Sequence, residues 1–286
     1  MELNAKVITV TSLQYAWANM DQSKKKKIPR IRVAKEDIEL ALKKLGLGKG
    51  NIIGVHSSLS SFGYVKGGAD AAIDALLEVV GREGTIVMPT HSANLDKVRL
   101  MPEEKASGVL WLYRILPYDP KETPCTTGTI PETFRKRKDV TRSFHPMFSV
   151  AATGPKAEEI IEEGRGNVLK AWKKLLELDG YILLIGVDLG VCTAMHLVEE
   201  RVVLPKHILE KITPPKWFVE KYPEDQWEWD FAPYPEFSKM EEPCLEHEIM
   251  KTTKVGEATF KLVKLRDLID LYEEYLKKNP DTFYPT

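Results

Sequence analysis

Residues 51–68, which read NIIGVHSSLSSFGYVKGG, decide the fold of this chain. Their apolar beginning, residues 51–55, predicts a buried strand that ends in a loop rich in hydroxyl groups and glycine. A helix predicted over residues 70–80 follows, and then a second apolar strand over residues 85–88 that ends in the polar run PTHS. This alternation favours an α/β fold. Because ligands of open α/β sheets bind beyond the carboxyl ends of the strands, we expect the functional site in these two polar loops.

The composition argues against several classes of protein. The 286 residues carry 41 basic and 42 acidic side chains, and a net charge of −1 does not favour nucleic-acid binding. Three widely spaced cysteines argue against a disulfide framework. Apolar runs stay well below the ~18 residues of a membrane span, and charges stand where a signal peptide needs an apolar core. We expect a cytoplasmic protein without a membrane or nucleic-acid partner, and a solvated loop at Lys24–Lys27.

The remaining patterns predict one domain over residues 1–286, with an acidic, tryptophan-containing segment at about 212–248. The first helix opens at Val33 and ends at Gly46, and its predicted buried positions are Ile38, Leu40, Leu42 and Leu45. Further helices are predicted over residues 130–136, 155–163, 169–178, 193–200 and 265–278, and further strands over 147–152, 181–187 and 260–263. Proline-rich residues 93–132 look irregular, and a loop of that length is usually functional.

The first polar loop has the composition of an anion site. Its serines and glycines precede a helix, whose N-terminus favours a phosphate or pyrophosphate group. The loop matches neither GxxxxGK[ST] nor GxGxxG, so those nucleotide motifs do not apply. An ordinary polar loop is the alternative interpretation.

Histidines in two other segments are candidates for acid–base chemistry. His145 precedes Pro146 at the start of a predicted strand, where it is either a general base or a structural residue bound to a backbone carbonyl. His196 and Glu199 are three residues apart on a predicted helix that Thr193 could cap. That pair could bind metal, bind substrate, orient a distant histidine, or simply form a solvated face.

These motifs occur together in an order that resembles the aminoglycoside N(3)-acetyltransferase family, whose members transfer an acetyl group from acetyl-CoA to an amine. The resemblance covers about residues 30–270. It is carried by His56–Gly63, Gly67-Gly68, Met88–Ser92, Tyr118–Pro120, Thr123-Pro124, Gly128, Phe134-Arg135, Arg142-Ser143, His145-Pro146, Ser149, Leu176–Gly180, Thr193–Leu197, Glu199 and Val255–Ala258.

The resemblance implies a single-domain antibiotic-acetyltransferase-like α/β fold with a mixed central sheet, distinct from the GNAT acetyltransferases. It implies acetylation of the 3-amino group of 2-deoxystreptamine aminoglycosides, or of a related amine, by direct transfer in a ternary complex. His145 would then be the general base and Glu199 its supporting carboxylate, with Glu200 and Asp188 as the alternatives. A homodimer is possible.

The resemblance also assigns binding roles along the chain. The residues expected to bind acetyl-CoA are Ser57, Ser58, Ser61, Phe62, Gly63, Lys66, Gly67, Gly68 and Ser149. The residues expected to border the acceptor or the thioester are Thr90, His91, Asp188 and His196.

The chain departs from the family pattern at residues 166–172 and 188–193, both near the expected acceptor pocket, so the acceptor stays open. The acidic segment suits a polycation, although a surface lid with tryptophans packed on the core is the alternative. An endogenous amine metabolite is the alternative acceptor.

Three other functions are weighed against this one. They are a metal-dependent hydrolase built from His56, His91, His145 and His196, a thiol nucleophile at Cys125 or Cys192, and a catalytically silent CoA-binding protein. Metal-ligand spacings such as HxH and HExxH do not occur in the sequence, and no motif marks a reactive thiol.

Overall fold

A computed structural model of the chain describes residues 32–92, 95–163 and 167–285. The Lys24–Lys27 run and the beginning of the 166–172 departure lie outside the described residues, and one domain over the whole chain stays a prediction. The strands are β1 (Arg32–Val33), β2 (Ile52–Ser57), β3 (Tyr64–Val65), β4 (Thr85–Pro89), β5 (Leu95–Lys97), β6 (Val109–Ile115), β7 (Thr141–Arg142), β8 (Val150–Thr153), β9 (Tyr181–Ile185), β10 (Trp227–Phe231), β11 (Met250–Val255) and β12 (Ala258–Lys264).

Helices connect and cover these strands. The α-helices are α1 (Lys35–Leu45), α2 (Gly68–Val80), α3 (Pro102–Ala106), α4 (Thr129–Phe134), α5 (Ala157–Glu163), α6 (Val168–Glu177), α7 (Lys206–Ile212), α8 (Lys216–Lys221), α9 (Glu241–Glu246), α10 (Leu265–Lys278) and α11 (Pro280–Phe283). Short 3-10 helices span Leu59–Phe62, Leu189–Val191, Thr193–Val198 and Phe237–Met240. In the part of the chain that the structure describes, no helix is both long and apolar enough to span a membrane.

The central sheet has seven strands in the order β11-β12-β9-β2-β4-β8-β7. β2 pairs in parallel with both β9 and β4, whereas the outer pairs are antiparallel. The predicted mixed α/β sheet is therefore confirmed. Because β9, β2 and β4 run in one direction, their carboxyl ends lie at one edge, and antiparallel β8 begins at that same edge.

The sheet buries both faces, because its central strands alternate between two hydrophobic clusters. On β9, Leu183 and Ile185 pack with the α1 and α2 residues, whereas Ile182 and Leu184 pack with α6 and α10. Trp172 of α6 is fully buried against the second face, over Gly54 of β2.

The structure corrects two predicted helices. Leu40 is 69% exposed, and Ala41 joins Ile38, Leu42 and Leu45 on the buried side of α1. The segment predicted as a helix from Thr193 is a 3-10 helix, whose N-cap is Cys192 and which has no side-chain cap. Gly46 ends α1 with φ 103°, as the sequence predicts.

The segment expected to be irregular is partly regular. Residues 95–115 contain β5, α3 and β6, and β6 pairs antiparallel with both β5 and β10. This small sheet brings the acidic segment into the fold through β10. Its inner side packs Leu112 and Phe231 against Phe218 of α8, so the tryptophans of the segment border a small core of their own.

Gly54 is required by the close approach of α6, and its replacement tests that packing. A Cβ at position 54 would lie 2.7 Å from Cζ3 of Trp172 and 2.9 Å from a methyl group of Leu175. We expect Gly54→Ala to lower the free energy of unfolding by about 1–3 kcal/mol, measured by urea denaturation, since overpacking strains the core. Gly48→Ala is the control, because a Cβ there meets no described atom within 4 Å. Equal stability of both variants would contradict this account.

Candidate active site

His196 and Glu199 form a hydrogen-bonded dyad beside the carboxyl edge of the sheet. Nδ1 of His196 lies 3.0 Å from Oε2 of Glu199. The two residues stand three apart on the 3-10 helix Thr193–Val198 and its C-cap. In a 3-10 helix side chains at i and i+3 stand directly above one another, which brings the two groups together. The carboxylate thus holds the imidazole with its proton on Nδ1 and its lone pair on Nε2.

Aromatic side chains enclose this dyad. The Tyr234 hydroxyl lies 2.9 Å from Nε2 of His196, and the ring of Phe237 meets the imidazole edge-on at 4.7 Å. Tyr284 donates its hydroxyl hydrogen to Oε1 of Glu199 at 2.7 Å. The His196 side chain is 20% exposed, so a small ligand can still reach it.

Glu199 does not support His145, contrary to the interpretation that the sequence favoured. Its carboxylate bonds His196 and Tyr284 instead. The alternative carboxylate, Asp188, accepts a hydrogen bond from the backbone amide of Gly190 at 2.8 Å and caps a 3-10 helix. The predicted pairing of Glu199 with His145 does not form, because Glu199 bonds His196, which lies only three residues away on the 3-10 helix whose C-cap is Glu199.

His145 has a geometry that leaves its Nε2 as a donor. Its Nδ1 accepts hydrogen bonds from the backbone amides of Met147 at 3.2 Å and Phe148 at 2.9 Å. Nδ1 is therefore the unprotonated nitrogen, and the neutral ring carries its proton on Nε2. Burial lowers the pKa of His145, which favours this neutral form. In this tautomer His145 donates a hydrogen bond more readily than it accepts a proton.

Two further histidines lie near the carboxyl ends of β2 and β4; His56 is buried and His91 is half-buried. Burial lowers the pKa of His56 to about 3 and the pKa of His91 to about 4, so both are neutral. The ring of His56 stacks on Trp172 at 5.4 Å, and the ring of His91 meets Phe148 edge-on at 5.1 Å. Among the described residues neither Nε2 has a hydrogen-bond partner.

The serine- and glycine-rich loop folds back on itself before α2. Oγ of Ser61 donates to the carbonyl of Ser58 at 2.6 Å, and Ser58 and Ser60 hydroxyls lie 3.1 Å apart. Gly67 and Gly68 have φ of 86° and 59°, values that favour glycine, and they lead directly into α2. The first amides of a 13-residue helix are thereby directed at this loop, as an anion site requires.

Some residues expected to contact acetyl-CoA are buried. The ring of Phe62 is fully buried and packs edge-on against Phe260 at 5.5 Å. Ser149 is also fully buried, and its hydroxyl donates to the carbonyl of Thr90 at 2.7 Å. Contact between these two side chains and a cofactor has no support in the structure. Lys66 is exposed, and its role stays a prediction.

Arg142 ties Thr90 and Ser149 to the long loop that precedes α4. Its Nη2 donates to the Thr90 carbonyl at 2.6 Å, and its Nε donates to the Ser149 hydroxyl at 2.9 Å. On the other side, Nη1 donates to the Thr123 carbonyl at 2.5 Å, and the guanidinium lies over the Tyr118 ring at 5.2 Å. Thr90, expected to border the substrate, is fully buried within this network.

An acidic face borders the dyad; it consists of Glu228 and Asp230 of β10 with Trp111 and Tyr113 of β6. The register pairs Glu228 with Tyr113 and Asp230 with Trp111, so all four share one face of the small sheet. The Trp111 ring lies 6.1 Å from Tyr234, which links this face to the dyad.

The surroundings of the acidic face disfavour the charged forms of Glu228 and Asp230 and so raise the pKa of each. Burial, Asp230 and Glu224 together raise the pKa of Glu228 to about 8. Burial raises the pKa of Asp230 to about 6, and Glu199 adds to that rise, although a backbone amide and His196 act against it. A site whose carboxylates repel one another and lie partly out of water favours a cationic ligand.

Metal and thiol chemistry find little support. Among the described residues there is no group of three or more His, Cys, Asp or Glu placed to hold a metal ion. Burial raises the pKa of the Cys125 thiol, and it raises the pKa of Cys192 to about 12. A thiolate nucleophile is therefore disfavoured at both positions.

Comparison with known proteins places the chain in a family. Residues 55–277 match the family model described as aminoglycoside 3-N-acetyltransferase. The chain belongs to this family. It is 35% identical over 258 residues to the SPbeta prophage-derived aminoglycoside N(3')-acetyltransferase-like protein YokD of Bacillus subtilis (strain 168), covering 86% of this chain and 93% of that protein. The crystal structure of YokD superposes with a TM-score of 0.69, at 31% identity, over 88% of this chain and 96% of the other.

Other members of the acetyltransferase family extend the likeness. Aminoglycoside N(3)-acetyltransferase IV from a Salmonella species is 33% identical over 167 residues, which is 56% of each chain. A histidine-to-alanine mutant of the aminoglycoside acetyltransferase AAC(3)-IVa, crystallised with a gentamicin, superposes with a TM-score of 0.69 at 26% identity, over 90% of this chain and 93% of that one.

Sequence reasoning missed several residues of this candidate site. Tyr234, Asp230, Glu228 and Tyr284 lie far from the recognised motifs in the chain. For the acidic face a signal existed, since WEWDF at 227–231 alternates aromatic and acidic residues as a half-buried strand does. For Tyr284 no local pattern gives its partner, which is 85 residues away.

The raised pKa of Glu228 predicts a pH-dependent gain in stability on its replacement. Because folding raises this pKa from 4.5 to about 8, the folded state disfavours the charged form, and the cost grows as pH rises between those values. We expect Glu228→Gln to increase the free energy of unfolding by about 1–3 kcal/mol at pH 8 and to leave it unchanged at pH 4, in urea titrations. Glu246→Gln, at an exposed position, is the control. The account fails if Glu228→Gln has the same effect at both pH values.

Proposed function

We propose that this protein acetylates a primary amine of a polycationic acceptor, the 3-amino group of a 2-deoxystreptamine aminoglycoside or a related amine, with acetyl-CoA as donor. Family membership supports the acetyl transfer. The observation that carries the proposal is the His196–Glu199 dyad beside an acidic face. We place the reaction in the cytoplasm, where acetyl-CoA is available.

His196 is the general base in this proposal, in place of His145. An ammonium ion cannot attack a thioester, so the acceptor must first lose a proton. With Nδ1 held by Glu199, the lone pair on Nε2 of His196 is directed at Tyr234. The hydroxyl of Tyr234 occupies the place where an amine N–H would donate, so the acceptor replaces it there.

The dyad completes the proton balance of the transfer. The ammonium first gives one proton to solvent. His196 then takes at Nε2 the second proton, which the amine nitrogen loses as its bond to the acetyl carbon forms and the C–S bond of acetyl-CoA breaks. Glu199 stabilises the resulting imidazolium, which can return the proton to the departing thiolate. Transfer is direct in a ternary complex, because buried thiols of raised pKa make poor acyl carriers.

The serine- and glycine-rich loop and the start of α2 would hold the donor. The amides at Gly67 and Gly68 suit phosphate oxygens, and exposed Lys66 adds a positive charge beside them. Backbone amides bind an anion without side-chain entropy cost. His145, with a proton on Nε2, is placed as a hydrogen-bond donor at the same edge of the sheet.

Replacing the two histidines separately tests which one is the base. We expect His196→Gln to lower kcat/KM by about 10²- to 10⁴-fold, since general-base catalysis contributes that much. His145→Gln should cost about 10-fold or less, through loss of one hydrogen bond. Thiol release from acetyl-CoA with gentamicin-type aminoglycosides and with simple diamines measures both.

Two outcomes of that assay would contradict the proposal. Loss of turnover only in His145→Gln would return the base to His145. Turnover with diamines but with none of the aminoglycosides would assign the dyad to a smaller amine. Circular dichroism and urea titration of each variant exclude unfolding as the cause.

The acidic face predicts a selective effect on acceptor binding. At pH 9, above the raised pKa values of about 8 for Glu228 and about 6 for Asp230, both side chains are charged. Asp230→Asn and Glu228→Gln then remove negative charge next to the dyad, so we expect KM for a polycationic acceptor to rise about 5- to 50-fold each at that pH, on the order of 1–2 kcal/mol of lost attraction. KM for acetyl-CoA should stay the same. Steady-state kinetics with either substrate varied measures this, with Glu246→Gln as the charge-matched control. An equal rise in both KM values would show a structural effect instead.

A further inference from the structure

Tyr284 lies against the dyad although the family motifs contain no residue from its part of the chain. It is 2% exposed, and its hydroxyl donates to Oε1 of Glu199 at 2.7 Å. Burial raises the pKa of Tyr284, with Glu199 adding to the rise, so the hydroxyl keeps its proton. Oε2 of Glu199 is left to accept from His196. The two carboxylate oxygens therefore have different donors, which fixes the carboxylate plane.

The segment around Tyr284 is fastened to the other side of the dyad. The backbone amide of Glu236 donates to the Phe283 carbonyl at 2.9 Å, and Nζ of Lys239 donates to the Thr282 carbonyl at 2.7 Å. Between Glu236 and Lys239 lies Phe237, whose ring packs on the imidazole of His196. One short stretch, residues 236–239, thus anchors Tyr284 and contacts the base.

We propose that Tyr284 is a positioning residue for the transfer reaction: it orients Glu199, so that the carboxylate in turn holds His196 with Nε2 free to accept the proton of the acceptor. This inference rests on the proposed role of the dyad. Tyr284 contacts neither substrate nor the reacting atoms in it, and it acts through Glu199 alone. A carboxylate without this donor can rotate away from Nδ1, and the imidazole then samples the wrong tautomer.

Tyr272 supplies a matched control. It is fully buried, and its ring contacts Phe237 at 5.6 Å and Phe283 at 5.0 Å, in the same aromatic cluster. Its hydroxyl has no hydrogen-bond partner within the described ranges. Tyr284→Phe and Tyr272→Phe thus each remove one buried hydroxyl and keep the ring, but only the first removes a hydrogen bond to Glu199.

The test compares the two variants in kinetics and in proton NMR. For Tyr284→Phe we expect kcat to fall roughly 3- to 10-fold, as for the net loss of one intramolecular hydrogen bond that acts on the base indirectly, with KM for acetyl-CoA unchanged. The downfield proton resonance of the Nδ1–H to Glu199 bond, identified by its absence in His196→Gln, should shift or broaden. Tyr272→Phe should leave both readouts as in the wild type.

The outcomes separate failure of this inference from failure of the proposed function. The positioning role would be overturned by a wild-type kcat and a wild-type Nδ1–H resonance in Tyr284→Phe, or by equal losses in Tyr272→Phe. If His196→Gln is inactive in the same assay, the proposed function still holds. Full activity of His196→Gln would instead contradict the proposed role of His196 as the general base, independently of the result for Tyr284→Phe. Urea titration of both tyrosine variants shows whether a loss of activity reflects unfolding.

Discussion

The parallel alignment of β9, β2 and β4 is the constraint on which the rest of the site depends. Because the three strands run in one direction, the loops that follow them leave the sheet at one edge, and every group assigned to the chemistry belongs to those loops or packs on them. β8 runs antiparallel to β4 and so begins at the edge where β4 ends. His145, which precedes β8 in the chain, therefore lies at this same edge. Without the shared direction these segments would lie at opposite ends of the sheet.

Arg142 shows how this edge is kept rigid. Burial lowers the pKa of this guanidinium, an unfavourable placement for a charge, yet its donors meet carbonyl and hydroxyl oxygens on β4, β8 and the loop at Thr123. A planar fork with several fixed donors can satisfy oxygens on three segments at once, which a lysine cannot do. The long loop before α4, whose length suggested a functional loop, therefore also has a structural role, because Arg142 holds it against β4 and β8.

The strands and the main helices could be predicted because their signals are local. Apolar runs and the glycines at 46 and 81 define β2, α1 and α2 to within about two residues. The dyad could be predicted only in part. The spacing of His196 and Glu199 predicted that they share one face of a helix. Whether the carboxylate bonds His196 or His145 depends on the 3-10 geometry of this segment, which the sequence does not specify. The contacts of Tyr234 and Tyr284 join distant parts of the chain, and only tertiary packing creates them.

The electrostatics of the site set two demands against each other. In the proposed function, charged Asp230 attracts a cationic acceptor, as does Glu228 above its raised pKa of about 8, and the same negative field favours the ammonium form, which cannot react. A base near such a face must therefore be held with its lone pair already directed at the amine. The contacts around His196 answer this demand: Glu199 fixes one nitrogen, Phe237 fixes the ring plane, and Tyr284 donates to the second oxygen of Glu199. In the proposed mechanism the groups that attract the acceptor differ from those that orient the base, and the two sets stay coupled because Glu199 and His196 act on the pKa of Asp230.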